Sequence, residues 1–172
     1  MKTIFRILNF VILLICILLQ LAFFENFKLI NISIDIVLVA IIGITIFDGE
    51  IYGLIYGFIA GLLLDLMVGS IIGVSALLYA LNAFIVSRII GIGFKRNTLT
   101  NMLLVLLVTE VNLLFVSGIY YLFNFNANPV ELGFEMLVNP VFNILAMFIL
   151  FPVLSVGRER KEEIGFIFKD KA

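Results

Sequence analysis

Glu110 stands mid-way along an apolar stretch from Thr98 to Phe123, with Thr109 and Asn112 beside it. A charged carboxylate at the centre of a hydrocarbon layer costs at least about 2.5 kcal/mol unless it is paired or protonated, so a functional role is the first hypothesis. The competing reading is a neutral, hydrogen-bonded Glu that ties helices together through Asn82 or Asn143. No Lys or Arg lies at matching depth, which favours the hydrogen-bonded reading. Glu110, Asn112, Asn82 and Asn143 therefore form one candidate intramembrane polar site. Four more acids flank apolar runs. Asp35 and Asp65 are expected near one face of the membrane, where they could line an outward-facing site, although two like charges resist sharing one. Asp65 has an alternative use: it precedes a glycine turn and can accept backbone N–H groups there. Asp48 and Glu50 are expected on the opposite face, level with Arg88, Lys95 and Arg96, as a charge cluster pinning a helix turn.

Other chemistry lacks its parts. The chain has no His, which removes imidazole catalysis and His-ligated metal. Its one cysteine, Cys16, is set among Ile and Leu as a small apolar filler, and it cannot form a disulfide within the chain. Neither a phosphate-binding G-x-x-x-x-G-K-[ST] loop nor a G-x-S-x-G elbow occurs. No catalytic residues, cofactor or metal are expected, and the net charge of −1 gives no hint of nucleic acid.

The elements that position these residues are set by the solvent. Hydrophobic residues make up 63% of the 172 and charged residues 13%, against roughly 45–50% and about 25% in a soluble domain. Such a chain cannot cover its surface in water, and one polytopic helical domain over residues 1–172 is expected. Six spans can be drawn: 7–24, 34–47, 49–68, 74–87, 98–123 and 136–156, with a charged tail over 157–172. The first has basic residues before it but a long apolar core and no A-x-A-like cleavage site, so it reads as a retained anchor rather than a signal peptide. The second has an uncharged part only about 20 Å long, too short to cross unless protein shelters its ends. The turn Asp48-Gly49-Glu50 joins it to the third, predicting an antiparallel hairpin. Residues 124–135 read as a loop with room for a short interfacial helix. Pro140 and Pro152 are expected near the ends of the last span.

Six spans place both termini on one side, and charge says which. Lys2, Arg6, Arg88, Lys95, Arg96, Arg158, Arg160, Lys161, Lys169 and Lys171 share that side, leaving only Lys28 opposite. The positive-inside rule makes it cytoplasmic. The tail alternates in sign before Ile164-Gly165-Phe166-Ile167-Phe168, and reads as a solvated helical end or an amphipathic segment lying on the inner leaflet or on a partner.

The third span carries the strongest pattern. Gly49, Gly53, Gly57, Gly61, Asp65, Gly69 and Gly73 recur at every fourth position, so the first four glycines share a helix face without side chains. In lipid, helices associate by close backbone approach across such strips. Gly49, Gly53, Gly57, Gly61 and Asp65 are thus a candidate packing or partner interface.

The run from Asp48 to Asp65, and within it Gly57-Phe58-x-Ala60-Gly61-Leu62-x-x-Asp65, resembles the signature of the MreD family of rod-shape-determining membrane proteins. Chain length, span number and the basic start agree. One departure is Ser33-Ile34-Asp35, where family members often carry a Pro-Asp pair. The resemblance implies a non-enzymatic subunit of the bacterial cell-elongation machinery in the plasma membrane. It implies work with the bitopic protein MreC and, through it, with MreB filaments, a RodA-type glycosyltransferase and its transpeptidase in lateral peptidoglycan synthesis. A homo-oligomer is left open. The family's fold is similar to the six-helix substrate-binding components of energy-coupling-factor transporters. That implies an alternative: a binder of a vitamin-like molecule or lipid-linked precursor, with a pocket walled by helices one, three and six and touched by Asp35, Asp65 and Asn126.

Overall fold

The computed structural model describes residues 2–27, 34–68, 71–91, 97–123 and 129–155, with side chains for 7–22 of the first stretch and 132–155 of the last. Six helices follow in order: α1 (Lys2–Phe27), α2 (Ile36–Asp48), α3 (Glu50–Met67), α4 (Val74–Gly91), α5 (Thr98–Leu122) and α6 (Pro129–Ser155). No strand occurs among the described residues. Backbone surrounded by hydrocarbon must satisfy its N–H and C=O groups within the segment, which helices do. Four helices are long and apolar enough to cross a membrane: α3, α4, α5 and α6 over Leu132–Ser155. Ile7–Ala22 of α1 and the whole of α2 are shorter apolar helices.

The short α2 is the axis of the bundle. Its ten consecutive residues from Val37 to Ile46 are all buried, the pattern of a helix enclosed on every side. It packs against α1, α3, α4 and α6 and touches α5. The three helices expected to wall an outward pocket therefore have α2 packed among them. Gly49 has φ 99°, closes α2 by donating its N–H to the Thr45 carbonyl at 3.0 Å, and starts α3. It is a turn glycine and takes no part in the strip, since a Cβ there would meet nothing within 4 Å. After this turn, α3 runs back along α2, but its most extensive neighbour is α4.

Contacts place Asp35 beside the middle of α5 and α6. Its backbone bonds to Asn143 and, through Asn143, reaches the level of Thr109. Asn143 is fourteen residues into α6 and Thr109 eleven into α5, about 21 and 17 Å from those helix starts. Asp35 thus lies level with the mid-length of α5 and α6, because α2 starts inside the bundle. The α5–α6 pair continues past that level by about 20 Å.

Helix α6 begins at Pro129, seven residues before the expected span, so residues 129–135 are helical rather than loop. Pro129 suits a first helical position, where its missing N–H has no partner to lose. Pro140 and Pro152 lie inside α6, so Pro140 is well removed from the end where it was expected. Its ring removes one helical hydrogen bond, a defect that neighbouring helices in a bilayer can absorb.

Candidate functional site

A helix that begins inside a bundle presents free N–H groups where no water reaches, and each needs a built partner. At the start of α2 side chains supply three of these partners. Leu38 N–H donates to Asp35 Oδ1 at 2.9 Å, Val37 N–H to Gln20 Oε1 at 2.9 Å, and Asp35 N–H to Asn143 Oδ1 at 3.0 Å. The Asp35 carboxylate then takes the Tyr79 hydroxyl, 2.8 Å to Oδ1 and 3.0 Å to Oδ2. Asn143 passes the chain on, donating through Nδ2 to Thr109 Oγ1 at 3.0 Å. Beside it, Asn82 Nδ2 donates to Asn112 Oδ1 at 2.8 Å. Side chains from α1, α4, α5 and α6 thus converge on the first turn of α2. No buried side-chain nitrogen or oxygen among the described residues lacks a partner, as a low-dielectric interior requires.

Asp65 does for α4 what these residues do for α2. It is buried near the end of α3, accepting Gly73 N–H (2.9 Å) and Ala76 N–H (3.2 Å) on Oδ2 and Ser75 N–H (3.2 Å) on Oδ1. A carboxylate on three amides of a helix start is an N-cap supplied by the preceding helix. That is the capping alternative, and it commits Asp65 to the α3–α4 turn.

The bare strip faces the same neighbour. A Cβ on Gly61 would lie 2.5 Å from both Cα and N of Ala76, and one on Gly57 would lie 2.9 Å from the Tyr79 carbonyl oxygen. Gly53 abuts Thr45 of α2 and Ala83 of α4. Three strip positions therefore admit the α4 backbone and side chains of this chain itself. The contact also sets Tyr79 against α3, which holds its hydroxyl on Asp35.

At the α2–α3 turn, Asn9 donates to Asp48, and Ser87 Oγ donates to Glu50 Oε2 at 3.0 Å. Arg88 stands over the Phe84 ring, 4.7 Å from its centroid. Asp48, Glu50 and Arg88 are thus near one end of the bundle, while Lys95 and Arg96 lie outside the described residues, as do Asn126, Gly69, Lys28, the 157–172 tail and the side chains of Lys2 and Arg6.

Of the polar site expected around Glu110, Asn82, Asn112 and Asn143 come inside, but Glu110 does not join them. Asn82 and Asn143 are engaged with Asn112, Thr109 and Asp35. Glu110 is half-buried and makes no hydrogen bond among the described residues. The residues that sequence reasoning passed over are Asn9, Gln20, Tyr79 and Ser87. Asn9 and Gln20 had a signal, being isolated polar side chains in an apolar span. Tyr79 had none, because a tyrosine in a membrane helix is as often packing as hydrogen bonding.

Among the described residues no three Cys, Asp or Glu gather as metal ligands. The polar groups instead bind backbone and one another. The model of the rod shape-determining protein MreD family matches residues 1–157. The chain belongs to the MreD family. No curated protein and no solved structure matches it. MreD is a rod-shape-determining membrane protein family, and the four membrane-length helices of this chain agree with that setting. In this chain Gly53, Gly57 and Gly61 of the signature meet α4, and its terminal acid is the cap of α4.

Proposed function

We propose that the chain is a non-enzymatic scaffold subunit of the cell-elongation complex. On this reading it crosses the plasma membrane six times with both termini in the cytoplasm, and it supports lateral peptidoglycan synthesis through MreC. MreB, the RodA-type glycosyltransferase and its transpeptidase are engaged indirectly. The family match over residues 1–157 carries the reading. The interior adds support: its acids and amides are committed to capping α2 and α4 and to joining helices, so they serve rigidity rather than turnover. Asp35 and Asp65, the acids considered for a small-molecule pocket, are both occupied by donors from the chain itself. That favours the scaffold over a vitamin or precursor binder.

The six-span topology follows if α1 and α2 also cross. The helix order then puts the Asp48–Glu50 turn, Arg88 and the tail on the cytoplasmic side, as the basic residues require. Because α2 is sheathed by α1, α3, α4 and α6, its shortness is no obstacle.

The test is complementation in a rod-shaped bacterium lacking its own MreD. The chain should restore rod shape and co-purify with MreC from detergent-solubilised membranes. Rounded cells despite normal abundance of the chain, together with no MreC in the eluate, would reject the reading. A saturable, high-affinity vitamin or lipid-precursor ligand on the purified protein would reject it in favour of the binder.

A further inference from the structure

Helices α5 and α6 run well past the element they are packed on. The start of α2 is level with Thr109 and Asn143, and beyond that level α2 offers them no surface. Apart from each other, α5 and α6 pack mainly on α2 and, for α5, on α4. Yet α4 itself starts at Val74, only five residues or about 8 Å beyond Tyr79.

Burial follows this geometry on both helices. Asn112 is the last buried residue of α5 in that direction, and residues 113–122 contain none. On α6, residues 132–138 contain none, and burial begins at Asn139 and Pro140. Each boundary lies about one turn beyond the Thr109–Asn143 hydrogen bond, so the two are level. On the near side the helices are pinned: Asn112 accepts from Asn82 of α4, and Asn143 joins Thr109 to the Asp35 backbone.

Pro140 stands at this boundary, inside α6. It has no N–H to give the Met136 carbonyl, so the turn linking the distal part of α6 to the pinned part lacks a helical hydrogen bond. Sharp bends in helices concentrate at such positions. Helix α5 has no proline and can follow by smooth curvature.

We propose that the distal parts of α5 and α6 form a hinged arm that swings as one body about Pro140. Eleven residues, about 17 Å, separate Pro140 from the start of α6, so a bend of about 20° carries the tip through about 6 Å. Ile34, Asp35 and Ile36 are partly exposed, whereas the ten residues that follow are buried. The arm rises beside this open end of α2, and its swing widens or narrows the opening. The α3–α4 contact and the hydrogen bonds on the near side of the hinge take no part in the motion.

The experiment uses the full chain in nanodiscs, with Cys16→Ala as background and spin labels on pairs of cysteines introduced at exposed sites. Leu77→Cys with Tyr121→Cys spans body and tip, Leu77→Cys with Leu103→Cys lies within the body, and Tyr121→Cys with Phe134→Cys lies within the arm. The body-to-tip distances should spread about 6 Å more widely than those within the body, the swing of a bend of about 20°. The pair within the arm should be as narrow as the pair within the body. Pro140→Ala, which restores the donor to Met136, should narrow the body-to-tip distribution to the width of the body pair. A body-to-tip distribution already that narrow in the parent chain would overturn the proposal. So would an equally broad pair within the arm, which means fraying rather than a hinge, or a broad body-to-tip distribution that Pro140→Ala leaves unchanged in folded protein. Should Pro140→Ala fail to fold, the three pairs in the parent chain decide by themselves.

Discussion

Replacing Gly61 by Ala adds one methyl at the point where α3 and α4 are nearest. That methyl would sit 2.5 Å from Ala76 Cα and N, both backbone atoms that cannot rotate away. Ordinary contact needs about 1 Å more, so one helix must move. Such overpacking costs typically 1–3 kcal/mol, roughly 2 here. The movement also strains the Asp65 cap, which is one turn further along α3 and grips Ser75 and Ala76 of the displaced segment. Losing that cap would add about 1 kcal/mol. By the scaling for domains of this size, 2–3 kcal/mol lowers the melting temperature by roughly 4–12 °C. The chain supplies its own probe: Cys16 is its only cysteine and is 2% exposed. A thiol-reactive fluorophore added to detergent-solubilised protein during a heating ramp will therefore report unfolding. Gly133→Ala, where the methyl meets open space on α6, is the control and should melt at or slightly above the wild-type temperature. If Gly61→Ala and Gly133→Ala melt alike, the α3–α4 backbone contact does not support the fold as described.

Four further outcomes are expected in the same assay. Asp65→Ala should destabilise by about 1–3 kcal/mol by orphaning buried amides, and Asp65→Asn should fall between it and wild type because one acceptor oxygen remains. Tyr79→Phe should cost about 1–3 kcal/mol through the hydroxyl lost from Asp35, while Tyr121→Phe, at an exposed site, should be neutral; equal effects would discount the Asp35 link. Asn82→Leu and Asn112→Leu should each destabilise by leaving the other amide unpaired, yet the double variant should be less damaged than their sum, with a coupling of about 0.6 kcal/mol or more. Additive effects would mean the two amides do not interact. Gly57→Leu should abolish MreC co-purification only together with loss of thermal stability; a stable protein that fails to bind would instead place the strip at a partner interface.

Composition and spacing settled much of this protein. With 63% hydrophobic residues the chain had to be a membrane bundle, and helical period put Gly53, Gly57 and Gly61 on one face beside an acid able to cap a glycine turn. The block from Asp48 to Asp65 also carried the family. What lies opposite that face was not legible, because period tells which residues share a side of one helix and says nothing of the helix across from it. Lipid removes the remaining clue: buried and lipid-facing sides are both apolar, so no polar face marks the outside. Only the packed structure assigned the strip to α4, set Asp35 beside the middle of α5 and α6 by starting α2 inside the bundle, and paired Asn82 and Asn143 with neighbours other than Glu110. Those are choices among partners distant in the chain, decided by which arrangement closes every buried hydrogen bond at once.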